Sequence, residues 1–157
     1  MIEEILLSLQ DKLRSRDFLD NEQALDKLSS LLQSQNSEKQ KKVISTTLPI
    51  ALASKFESIQ KKAVQIVINY PTILKDVLPA LRLSSDMTVR FWAYFILIEL
   101  GFIHQDELLE ILNSRENDEI RKIVVEALAK NPDKKVIIAF LDKISDPSWI
   151  VRKQAKR

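Results

Sequence analysis

Val89-Arg90-Phe91-Trp92-Ala93 is one of four copies of a short pattern, the others being Ile59-Gln60-Lys61-Lys62-Ala63, Ile120-Arg121-Lys122-Ile123-Val124 and Val151-Arg152-Lys153-Gln154-Ala155. Their leading residues are separated by 30, 31 and 31 positions, and a fainter copy centres on Leu28, 31 residues before Ile59. A fixed period of this length marks a solenoid, in which each unit buries its apolar face on its neighbours. A second set of columns, Leu48, Leu78, Leu109 and Phe140, keeps the same 30, 31 and 31 spacing. Two columns per period describe a pair of helices, A and B, so the reading is an all-α solenoid of about five antiparallel helix pairs.

Composition agrees with that class. One glycine and five prolines among 157 residues are too few for the turns of a β-rich fold, and 45% apolar content suits a folded core. With no cysteine, the chain has no disulfide, thiolate nucleophile or cysteine-ligated metal. Met1-Ile2-Glu3-Glu4-Ile5 lacks the basic start and apolar run of a signal peptide, and no stretch approaches the roughly 20 apolar residues of a membrane span. The expectation is a cytoplasmic protein. The net charge of +2 hides three blocks: residues 38–62 carry six basic and two acidic side chains, 99–119 one and seven, and 121–157 ten and four. In a solenoid, such blocks become lateral stripes.

The first helix follows from Ile2, Ile5, Leu6, Leu9 and Leu13 at helical spacing. Asp20-Asn21-Glu22-Gln23, Ser37-Glu38-Lys39-Gln40 and Ser54-Lys55-Phe56-Glu57 read as capping boxes that open the next three helices. Further starts are placed at Pro71, Asp86, His104 or Asp106, Asp118, Asp133 and Asp146-Pro147. Pro49 and Pro79 share one column inside the A helices, where a missing N–H predicts a kink. The domain is one array over 1–157, with 1–37 a divergent capping pair and 38–157 regular repeats. The last repeat is incomplete, because the counterparts of Ile96, Leu97 and Leu100 would fall beyond Arg157. An unfinished end predicts a longer array or end-to-end association with another chain.

Helix pairs with an A-helix proline, an aspartate in the turn, and an apolar residue followed by arginine at the start of the B helix resemble HEAT repeats. Asp86-Met87-Thr88-Val89-Arg90 and Asp146-Pro147-Ser148-Trp149-Ile150-Val151-Arg152 carry the likeness best. The short period is similar to the compact bacterial HEAT-like repeats of the phycobilisome-lyase type. The resemblance covers 38–157 and implies a right-handed superhelix whose B helices line the concave surface. It also implies that Arg90, Arg121 and Arg152, with Gln60 in the same column, bond to the aspartate-containing turns and hold one repeat against the next.

Phe91-Trp92-Ala93-Tyr94-Phe95-Ile96-Leu97-Ile98 is apolar around the whole helical circumference, unlike an ordinary surface helix. Val89, Ala93, Ile96, Leu97 and Leu100 supply a core stripe, which leaves Phe91, Tyr94, Phe95 and Ile98 for another face. Deeper burial of a central helix is one account of that face, and a protein interface rich in aromatic residues is the other. The expected site is therefore Phe91, Tyr94, Phe95 and Ile98, flanked by Lys61 and Lys122, with the acidic 99–119 segment orienting a protein or peptide partner. A nucleic-acid reading rests on the Lys61, Lys122 and Lys153 column, but Glu99 and Glu126 dilute its field. A chromophore-lyase-related subunit is a third reading, suggested by repeat length alone. Catalytic residues, metal ligands and cofactors are expected to be none: His104 is the lone histidine, and neither a phosphate loop nor a nucleophile elbow is present.

Overall fold

The computed structural model describes residues 2–130, 134–143 and 148–155, with the side chains of all of these except 140–143, 149 and 155. Regular structure among the described residues is entirely helical, in ten segments: α1 (Ile2–Arg14), α2 (Phe18–Ser34), α3 (Ser37–Leu52), α4 (Glu57–Val67), α5 (Pro71–Leu81), α6 (Met87–Glu99), α7 (Gln105–Leu112), α8 (Asp118–Ala129), α9 (Lys134–Lys143) and α10 (Trp149–Ala155). The chain divides into two compact units, Met1–Ile96 and Leu97–Arg157, with the division inside α6.

In the first unit α1 packs on α2 and α3, α3 packs on α4 and α5, and α2 packs on α4. Odd-numbered helices thus contact one another, as do α2 and α4. The apolar columns fill the space between them: Leu25, Leu28, Leu32, Ile44, Leu48, Leu52, Ile59, Leu74 and Leu78 are almost completely buried. Each such side chain contributes about 1.5–3 kcal/mol relative to remaining in water. In the second unit α8 packs on α7, α9 and α10, around Leu112, Ile120, Val124, Val125, Val136 and Val151.

Ile59, Val89, Ile120 and Val151 are each the third residue of their helices, α4, α6, α8 and α10, and each is buried. Leu28 does not extend that register. It is buried deep inside α2, whose third residue is Asp20, so the first interval is 39 residues.

The caps of α2 and α3 lie three residues and one residue ahead of the expected ones, although α3 itself begins at Ser37 as expected. Asp17 caps α2, its carboxylate accepting the Leu19 N–H at 2.8 Å, while Asp20 lies a turn later and accepts the Ser15 hydroxyl at 2.8 Å. Asn36 caps α3 by accepting the Lys39 N–H at 3.0 Å. A short acceptor positioned just ahead of the apolar run wins over the capping-box pattern inside it. Pro71 and Asp86 act as expected, the latter accepting the N–H groups of Thr88 at 2.9 Å and Val89 at 3.1 Å. Asn117 caps α8, and the starts placed at Asp133 and Asp146-Pro147 lie outside the described residues. Pro49 and Pro79 fall in the last turns of α3 and α5, which run on to Leu52 and Leu81. Near a terminus the absent N–H removes one bond of a ladder that is already ending.

α6 ends on the chain's single glycine. Gly101 has φ of 73°, the Phe102 N–H donates to Leu97 O at 2.9 Å, and the Gly101 N–H donates to Ile98 O at 3.1 Å. These paired bonds form a Schellman ending, which needs a left-handed residue that glycine adopts without steric cost.

Candidate functional site

The expected site is built on α6, and the first unit holds most of it. Trp92 is buried, and its indole N–H donates to Gln60 Oε1 of α4 at 2.9 Å. A ring this large satisfies its one donor while burying its apolar body. Phe91 and Phe95, one turn apart, are half-buried and stacked on each other, with centroids 6.4 Å apart and planes at 28°. Both meet Trp92 edge-on at 5.3 Å. The three rings therefore form one cluster, with Trp92 as its buried base and Phe91 and Phe95 as the partly open members.

Tyr94 does not join the open members. It is buried, with the Arg82 guanidinium from the end of α5 lying 5.0 Å from its ring centroid. Position 94 lies only about 60° around the helix from position 91 but about 100° from position 95, on the opposite side of Phe91 from Phe95, and there Arg82 meets its ring. Lys61 is exposed but already paired with Glu57 at 3.2 Å on its own helix. Ile98 and Lys122 belong to the second unit and are half-buried there.

The fourth-position column meets the turn of its own helix pair. Gln60 Nε2 donates to Ser54 O at 2.5 Å, Arg90 Nη1 to Ser84 O at 3.2 Å and Arg121 Nε to Leu112 O at 3.1 Å. Each of these three acceptors is a backbone carbonyl at the end of the preceding helix or in the turn that follows it. The column thus satisfies helix-end carbonyls inside a pair, where orphan acceptors are expected. Arg121 also approaches Asp118 at 3.8 Å, the aspartate contact that the likeness calls for.

Asn21, missed in the sequence, does the same work. It is the fourth residue of α2, as Gln60, Arg90 and Arg121 are fourth in α4, α6 and α8. Its buried amide donates to Lys12 O at 2.7 Å, Ser15 O at 3.0 Å and Leu13 O at 3.3 Å. Its 39-residue distance from Gln60 hides it from a 31-residue ruler. Helix position would have found it.

His104 is exposed and precedes α7 without a side-chain capping bond. Among the described residues no group of three or more His, Cys, Asp or Glu side chains could hold a metal ion, and no helix is long and apolar enough to cross a membrane. In the first unit, the C-terminal ends of α1 and α3 border an open groove of about 470 Å³, whose lining includes Leu13, Pro49 and Ile50.

The chain matches no protein-family model, no curated protein and no solved structure. A functional reading rests on the site itself.

Proposed function

We propose that this chain is a HEAT-like repeat protein that binds a protein or peptide partner without catalysis, using the face of α6 that carries Phe91 and Phe95. The stacked, half-buried ring pair carries the reading. Aromatic side chains already held in place lose little entropy on binding and dominate interface energies. Trp92 holds both rings from beneath, and its bond to Gln60 fixes the base of the cluster. The HEAT-like assignment draws support from the common register of Ile59, Val89, Ile120 and Val151 and from the contacts of α1 with α3, α3 with α5 and α2 with α4.

Tyr94 is withdrawn from the contact surface, and Lys61 enters it only as half of an ion pair. The test is capture from native lysate with the wild-type chain and with a Phe91→Ser, Phe95→Ser variant whose helicity is unchanged. Loss of specific captured proteins with the variant supports the reading. An unchanged captured set, or capture replaced by salt-dependent retention on DNA, overturns it.

A further inference from the structure

The groove between the ends of α1 and α3 is distinguished by its charges. Three cations line it, Arg14, Arg16 and Lys55, and no carboxylate does. Elsewhere in the first unit four lysines are paired, Lys41 with Asp76 at 3.5 Å, Lys42 with Glu3 at 3.0 Å, Lys61 with Glu57 at 3.2 Å and Lys62 with Asp26 at 2.8 Å, while Lys12, Lys27 and Lys39, which do not line this groove, form no ion pair among the described residues. Arg14 and Arg16 are exposed and, among the described residues, meet no carboxylate at ion-pair distance. Lys55 is exposed too, with Nζ 5.0 Å from the centroid of the Phe56 ring.

A structural duty accounts poorly for this convergence. A cation at the end of a helix can stabilise the negative end of its dipole. At α1, however, the buried Asn21 amide already donates to the carbonyls of Lys12, Leu13 and Ser15. At α3 the N–H groups of Ala53 and Ser54 reach Ile50 O and Ala51 O at 3.2 Å, and Gln60 takes Ser54 O. These helix-end carbonyls thus have donors other than the three cations. Beside the cations the lining includes the aliphatic side chains of Leu13, Pro49 and Ile50.

We infer that this groove docks an acidic peptide segment with an aliphatic anchor, its carboxylates meeting Arg14, Arg16 and Lys55 and its apolar side chain resting on Leu13, Pro49 and Ile50. Its volume lies within the range of about 300–1,000 Å³ typical of ligand sites. Charge complementarity selects the sign of the occupant, and the aliphatic lining selects its class. A single-stranded nucleic acid would call for aromatic platforms on which bases stack, and no aromatic side chain lines the groove. The site shares no residue with the Phe91 and Phe95 face, so either can fail without the other.

The test is a titration of the 15N-labelled chain, followed by amide shifts, with a short blocked peptide of glutamates around a central leucine pair. A matched peptide with glutamine for glutamate and an oligothymidylate serve as controls. Saturable shifts confined to residues 13–16 and 49–55, absent with the glutamine peptide and weakened as salt rises, support the inference. Arg14→Glu with Arg16→Glu should weaken binding about tenfold or more. Should that variant lose helicity, Lys55→Glu replaces it, with a smaller loss of the same sign. Absence of groove shifts, equal binding of the glutamine peptide, undiminished binding by the folded variants, or the oligonucleotide shifting the same amides more strongly each overturns the inference.

Discussion

Helices α4 and α6 share one residue register, yet they meet their surroundings with different chemistry. Both place a buried β-branched residue third, Ile59 or Val89, and a turn-binding side chain fourth, Gln60 or Arg90. At the sixth position each reaches back to the helix two before it. Lys62 of α4 does so through a 2.8 Å ion pair to Asp26 of α2, with both side chains in contact with solvent. Trp92 of α6 does so through a buried indole that donates to Gln60 of α4 at 2.9 Å. An exposed pair of this kind contributes about 0.2–1 kcal/mol, because water and salt screen it and two long side chains must be ordered. A buried indole adds the transfer of its whole ring to a satisfied bond. Two helices can therefore share a register and differ several-fold in how firmly each is joined to the helix it reaches back to.

The most severe challenge to that contrast is Trp92→Ala. It should cost about 3–5 kcal/mol, read as a lower urea midpoint, since it opens a cavity and leaves Gln60 Oε1 without its donor. A cost below about 1 kcal/mol would show that α6 is held as loosely as α4. Asn21→Ala tests the fourth-position rule where no period announced it. Loss of one amide that serves three carbonyls should cost about 1–3 kcal/mol, and a neutral result would mean that water replaces it. Gly101→Ala addresses the end of α6, which closes on glycine whereas α4 ends on Ile68 in ordinary helical geometry. Space is available, with nothing within 4 Å of an added Cβ, so the expected loss of about 1–2 kcal/mol is purely conformational.

Lys62→Ala is the counterpart of the Trp92 substitution and should shift stability by less than about 1 kcal/mol, less still in high salt. The smallest effect belongs to Glu3 on α1. The Lys42 ammonium, hydrogen-bonded to its carboxylate, holds the Glu3 pKa below its ordinary 4.5. A depressed folded pKa means stability present above 4.5 and lost as pH falls through the lower folded value. Carboxyl titration followed by NMR should return Glu3 to its ordinary range in Lys42→Ala, with little change in thermal midpoint.

The helical class, the starts of α5, α6 and α8 to within a residue, and the buried column of Ile59, Val89, Ile120 and Val151 were legible in the chain. Each is set by local means: proline or aspartate at a helix start, and apolar spacing that fits one face. The candidate site was only partly legible. An octet apolar on all sides states that α6 is unusual, but it cannot say which rings a neighbouring helix will cover. Tyr94 and Phe95 are adjacent in sequence and alike in type, and the first lies under Arg82 while the second remains partly open.

By itself, then, the sequence determined how often the helices start and which side chains are apolar enough to be buried, because turn chemistry and helical periodicity act over a few residues. Tertiary structure alone decided three things: which aromatic rings stay partly open, that the fourth-position side chains serve the carbonyls of their own pair, and that Arg14, Arg16 and Lys55 share one groove. Those outcomes depend on contacts between segments six to about forty residues apart, where packing geometry rather than local propensity selects the partner.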